Sequence, residues 1–217
     1  MLPGGEAAML GLPSTTEVGK RIPKEAFYSR LKISAALRQS FIDDVDRFTV
    51  ANSIKTATTG IPDGERVHEV LVVEVALKSR RIPQDVLVCV ASANPHKLLF
   101  ACTNGSEVCL AVMLKQLIVG EWRAAENLVL DVSAESIDKV WDSIASQVAY
   151  GDTGSEKATV EERFAMGARL KALREELASV EARGRKERQL ARKNALFDKA
   201  KDLKRQIADI EEGGRRQ

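Results

Sequence analysis

Residues 68–78, HEVLVVEVALK, restrict the possible folds more than any other stretch of this chain. Side chains of an extended strand alternate, so Leu71, Val73, Val75 and Leu77 share one side, and Val70, Val72, Glu74, Ala76 and Lys78 share the other. Both sides are nearly apolar, which predicts an interior strand covered on both faces. A layered domain is therefore required. The chain's 217 residues suffice for one such domain and an appendage.

The neighbouring segments supply the layers. Ser14 and Glu17 fit the S-x-x-E capping box, which predicts a short helical turn from Thr15 to Lys20. Pro23 suits the first position of a second helix striped by Ala26, Phe27, Tyr28 and Leu31. Ser34 is a candidate N-cap for a helix through Leu37, Phe41, Ile42 and Val45. RFTVANSIKTAT reads as a strand and GIPDGE as a loop. Pro83–Ala93 reads as a helix, with strand as the alternative. Asn104-Gly105 between two apolar runs predicts a tight hairpin. NLVLDV reads as a further short strand. Ser133 then opens a helix carrying Ile137, Val140, Trp141, Ile144 and Val148. The expected class is α+β: a mixed-sheet α/β domain over residues 9–150, preceded by a disordered extension at 1–8.

YGDTGSEKAT marks a linker (151–157), after which the periodicity changes. Over 158–213, Met166, Leu170, Leu173, Leu177 and Val180 recur at 4-3-4-3 spacing, as do Leu196, Ala200, Leu203, Ile207 and Ile210. The phase slips between the two seams, near Gly184. The tail is thus a continuous coiled coil with a stutter, or a helical hairpin. Such short seams need something to bury against: each other, a second copy or another protein.

Charge is uneven. Residues 156–217 hold 17 Lys/Arg and 12 Asp/Glu, leaving 16 and 19 of the chain's 33 and 31 for the remainder. A basic tail is a footprint for an acidic partner. Its densest part, RGRKERQLARK, contains Arg183, Arg185, Lys186, Arg188, Arg192 and Lys193 against one acid. These six fit phosphate-backbone contact, although a solvated coiled-coil surface is the simpler reading.

Catalytic chemistry finds little footing. Glu74 and Lys78 evoke the Glu-x-Lys pair of metal-dependent nucleases, but their spacing puts them about 13 Å apart along a strand, too far to share one metal. Asp63 is the available third group. A nuclease using Glu74 remains the enzymatic alternative. His68 and His96 lack further Cys or His at zinc-ligand spacing. Cys89, Cys102 and Cys109 form no C-x-x-C pair, and apolar surroundings raise a thiol pKa. No phosphate-binding glycine loop is present. No catalytic residue, metal or cofactor is therefore expected. No apolar run spans a bilayer and no secretory leader is legible, so the expected setting is cytoplasmic, without membrane contact.

The stretch LPSTTEVGKRIPKEAFYSRL (12–31) carries Thr15, Thr16, Glu17, Lys20, Arg21 and Lys24, either a polar contact surface or a helix-capping junction. It also resembles the N-terminal signature of an uncharacterised bacterial domain family. Leu12, Pro13, Thr15, Thr16, Glu17, Val18, Lys20, Ile22, Pro23, Lys24, Phe27, Tyr28 and Leu31 match, as do VLVVEVALK, Pro95-His96 before LLF, and KERQLARKNALFDKAKDLKRQI. Gly19 replaces the more usual Asn, and Thr15-Thr16 replaces Ser-Thr. The resemblance implies a gene encoded beside a helicase and a site-specific DNA methyltransferase, in restriction–modification or phage-defence loci. The implied role is a non-catalytic accessory protein that binds the helicase or methyltransferase subunit through its body and tail. DNA would be contacted through the partner, or directly and non-specifically by the basic tail. Self-association through the tail is the further possibility.

Overall fold

The computed structural model describes residues 10–30, 33–155 and 157–215. The extension expected at 1–8, Leu31 of the first helical stripe and Glu156 of the linker lie outside them. The chain divides into two compact units, Met1–Gly154 and Ser155–Gln217.

The first unit is a six-stranded sheet in which space follows sequence: β1 (Glu17–Ile22), β2 (Val45–Ile54), β3 (Val70–Leu77), β4 (Lys97–Asn104), β5 (Glu107–Met113) and β6 (Leu117–Ala124). Helices α1 (Lys24–Arg30) and α2 (Ala35–Asp43) separate β1 from β2, and the turn α3 (Thr56–Thr59) follows β2. Helix α4 (Gln84–Ser92) connects β3 to β4, and α5 (Ile137–Tyr150) follows β6. All pairings are antiparallel except β3–β4, where Val70 pairs with Lys97 and Ala76 with Thr103 in parallel. Parallel neighbours need a crossover, and α4 supplies it.

β3 is interior, as its two apolar faces require. On one side Val73, Val75 and Leu77 pack with Phe41 of α2, Val86, Leu87 and Val90 of α4, and Phe48, Phe100 and Cys102 of neighbouring strands. Phe27 stacks into the same layer, with its ring centroid 5.1 Å from Phe48 and 5.5 Å from Phe41. The other side carries Val70, Val72, Leu99 and Leu110, all buried. There α5 packs on β4, β5 and β6 and buries Ile137, Val140, Trp141 and Ile144. Lys97 sets its ammonium 5.0 Å from the Trp141 ring. Gly105 turns the β4–β5 hairpin at φ 62°, the left-handed conformation expected of Asn-Gly. Ser34 caps α2 by accepting from the Leu37 N–H.

Several expectations fail for identifiable reasons. Ser14–Thr16 is a single 3₁₀ turn without a side-chain cap, and Glu17 opens a strand rather than closing a capping box. Pairing of Lys20 with Val50 and Arg21 with Thr49 outweighs a one-turn helix that no packing supports. Gly19, at φ 61°, absorbs the register shift between Glu17 and Lys20. Val45 belongs to β2, not to the preceding helix. The strand expected from Arg47 through Thr58 ends at Ile54, and Thr56–Thr59 forms the turn α3 instead. NLVLDV forms only an isolated bridge, Val129 with Leu10, while β6 takes the last place in the sheet. The cap of α5 is Ser136, which accepts from the Lys139 N–H; the Ser133 N–H instead donates to Asp131.

The second unit resolves the tail as a helical hairpin. Helix α6 (Val160–Lys186) starts with a capping box between Thr159 and Glu162, and α7 (Leu190–Arg215) returns after a three-residue connection. Ion pairs Arg174–Glu211 (2.7 Å), Glu181–Lys204 (2.8 Å) and Glu176–Lys199 (2.7 Å) bridge the two antiparallel helices. Val180, Ala200 and Leu203 are buried, with Leu173, Leu177 and Leu196 packed against them.

Candidate interaction surfaces

The N-terminal motif separates into inward and outward parts. Thr16 is fully buried, donates to the Pro13 carbonyl at 2.7 Å and accepts from the Asn52 amide at 2.9 Å. It is a lock between the chain start and β2. Lys24 donates to the Val45 carbonyl, and Lys78 to the Ile42 carbonyl at 2.7 Å. Two ammonium groups therefore hold the turn between α2 and β2. Burial, then the charge of Lys78, pulls Lys24 below the ordinary lysine pKa. Thr15, Glu17, Lys20 and Arg21 remain exposed, the last three on edge strand β1. A lysine, an arginine and a bulge on an edge discourage strand addition. Beside them lies an open cleft of about 380 Å³ lined by Arg21, Ile22, Pro23, Lys24, Glu25, Asp46, Arg47 and Phe48. Its three bases alternate with two acids, so it presents no concentrated charge of either sign.

The residues weighed for metal chemistry are occupied elsewhere. Glu74 pairs with Arg47 at 3.7 Å and accepts from Thr103, while Lys78 is turned to Ile42. Asp63 sits 3.0 Å from the His68 ring nitrogen. Among the described residues no group of three or more His, Cys, Asp or Glu could hold a metal ion. Burial raises all three thiols: Cys89 modestly exposed in α4, Cys109 to about 11, and Cys102, its cross-strand partner, further still. High thiol pKa values suppress thiolate chemistry.

One polar cluster escapes sequence reading. Glu69 accepts from Ser53 at 2.5 Å and Lys55 at 3.2 Å, and lies 3.5 Å from the His96 ring. Burial alone would raise its pKa; the hydrogen bonds from Ser53 and Lys55 and the charges of Lys55 and His96 outweigh it, and the carboxyl ends below its ordinary range. The cluster ties the end of β2 to the starts of β3 and β4. Its members come from three separated segments, so no local spacing announces them. A second lock has Asp138 of α5 accepting the N–H groups of Glu65, Arg66 and Val67, the shortest at 2.7 Å. Gly64 makes room for it, since a Cβ there would lie 2.5 Å from the Asp138 oxygen.

On the hairpin, the six basic candidates gather at the tip. Arg183, Arg185 and Lys186 end α6, Arg188 lies in the connection, and Arg192 and Lys193 begin α7; all are exposed. The seams face each other but cover each other only in part. Met166, Leu170, Leu173, Leu177, Leu196, Ile207 and Ile210 are half-buried. Outside the seam, Leu190 and Phe197 are each 71% exposed. Neither was singled out by the 4-3-4-3 pattern, because both sit one position off its phase.

The profile of an uncharacterised family, Domain of unknown function (DUF4391), matches residues 10–207. The chain belongs to that family. No curated protein and no solved structure matches it. The DUF4391 match runs through both compact units, so the hairpin is part of the family's domain and not an unrelated fusion. No helix among the described residues is long and apolar enough to cross a membrane.

Proposed function

We propose that this DUF4391 chain is a non-catalytic adaptor of a bacterial DNA-modification or phage-defence assembly, working in the cytoplasm. Its α/β unit docks on a helicase or DNA methyltransferase subunit, and the basic hairpin extends the contact to that subunit or to DNA. One observation carries the reading: a hairpin whose apolar residues stay half-covered, and whose tip holds six exposed cations, is a surface made for another molecule. The polar groups of the body support it from the other side. Thr16, Lys24, Glu74 and Glu69 are each engaged in holding the fold together.

The test is co-expression with the products of the neighbouring genes. The full chain is expected to co-purify with the helicase or methyltransferase, and a chain ending at Gly154 is expected to bind at least tenfold more weakly. Equal binding by the shortened chain removes the role assigned to the hairpin. Failure of the full chain to bind either protein removes the adaptor reading itself.

A further inference from the structure

With the seam residues at heptad positions a and d, Arg174–Glu211 and Glu181–Lys204 join e positions, and Glu176–Lys199 joins g positions. One heptad nearer the connection, the same register sets Arg183 against Arg192 at the g positions. The run of opposite charges that stitches the hairpin ends there. Neither arginine closes an ion pair with a described residue. Helix α7 also begins with no acid in its first turn, where a negative charge would suit the positive end of the helix. Arg183, Arg185 and Lys186 suit the negative end of α6, but Arg192 and Lys193 sit at the positive start of α7, where cations give the helix no such support.

The face of α7 that starts at the tip is equally unsuited to solvent. Leu190, Lys193, Phe197 and Lys201 follow one another at spacings of three, four and four residues, so they share one side of the helix. Both apolar members are 71% exposed and both lysines are exposed without an ion pair among the described residues. The pattern is a second amphipathic stripe, beside the seam, whose polar members are all positive.

We propose that this stripe docks an acidic amphipathic helix of a partner protein. Its apolar side would cover Leu190 and Phe197, and its flanking carboxylates would meet Lys193 and Lys201. The proposal rests on the adaptor reading and specifies the chemistry of the segment it grips. Three other occupants fit less well. A second copy meeting the same patch about a two-fold axis would bring cation against cation. Duplex DNA offers phosphates to the lysines and nothing to Leu190 and Phe197. A bilayer needs a far broader apolar face than two side chains. A helix laid along an exposed apolar stripe, with charge guiding its choice, satisfies both halves of the pattern.

Fluorescence anisotropy tests it with the full chain and a labelled helical peptide of about three heptads, leucine at a and d and glutamate at e and g. A twin peptide carries lysine at e and g. The full chain is expected to prefer the glutamate peptide at least tenfold. Leu190→Ser with Phe197→Ser should lose that binding, and Lys193→Glu with Lys201→Glu should transfer the preference to the lysine twin. Circular dichroism should show unchanged helicity, since all four side chains face solvent. Equal binding of the two peptides, or full affinity in the serine variant, overturns the proposal. Two results replace the occupant: duplex DNA bound by wild type and the serine variant but not the glutamate variant, or a dimer that the serine substitutions dissolve. Retained co-purification in the serine variant sinks the stripe and spares the adaptor. Peptide binding without any co-purification by wild type does the reverse.

Discussion

The sheet unit and the hairpin draw on the same apolar residue types and end in different conditions. Around β3, Phe41, Phe48, Phe100, Trp141 and Ile144 lose all contact with solvent, because helices close over both faces. In the hairpin two helices meet along one line, and only Val180, Ala200 and Leu203 of the seam are buried. A two-helix layer has an inside one residue wide. The sheet unit is therefore complete by itself, whereas the hairpin keeps an apolar remainder that a further surface can still cover.

Removing the largest buried ring should break the complete half. Trp141→Ala is expected to cost about 3–5 kcal/mol, from lost burial plus the cavity left behind. Scanning calorimetry should then show the sheet unit melting roughly 6–20 °C lower. Leu203→Ala should cost about 2–3 kcal/mol, drawn from the hairpin alone. Hydrogen exchange should rise across α6 and α7 and leave β3 and β4 protected. A loss of protection spread equally over both units would show that they do not behave as separate bodies. Exposed cross-hairpin pairs matter less: Lys199→Ala should cost at most about 1 kcal/mol, and less in high salt.

The Glu69 cluster sharpens the contrast through pH. Its carboxyl lies below the ordinary 4.5 when folded, so its contribution is present in full above pH 4.5 and is lost as pH falls through the folded value. Ser53→Ala removes the hydroxyl that helps hold the pKa down. The difference in urea midpoint between wild type and this variant should be largest above pH 4.5 and should shrink toward zero in stronger acid. The smallest expected effect is on the thiols. With a disulfide reagent at pH 8, Cys89 should react slowly, and Cys102 and Cys109 only after denaturation, because burial holds their protons on.

What the sequence disclosed depended on where each instruction was written. β3 was legible because both of its faces are apolar, and the β4–β5 hairpin because Asn104-Gly105 specifies its own turn. The helical character of the tail was legible from its 4-3-4-3 spacing, which left open whether one helix stutters near Gly184 or two fold back as a hairpin. β1 was not, since Glu17, Lys20 and Arg21 acquire strand geometry only by pairing with β2, some thirty residues away. β6 was hidden by Gly120, which breaks the apolar run; a Cβ there would lie 3.3 Å from the Leu110 carbonyl. The inward half of the N-terminal motif was equally hidden, because Thr16 is explained by Asn52 and Lys24 by Val45. Leu190 and Phe197 are invisible to the heptad pattern because each lies one position out of phase with it.

The lone parallel pairing, β3 with β4, divides the sheet into two meanders, each built from strands that neighbour one another along the chain. The β4–β5–β6 half closes through tight turns, so it can assemble by short-range search. The other half cannot: Ile22 meets Phe48 only after α1 and α2 have formed, and Val70 meets Lys97 only after α4 has. Early order is therefore expected at the β6 side of the sheet, and an insertion at the exposed Ser79–Arg80 should slow refolding while leaving the core side chains in place.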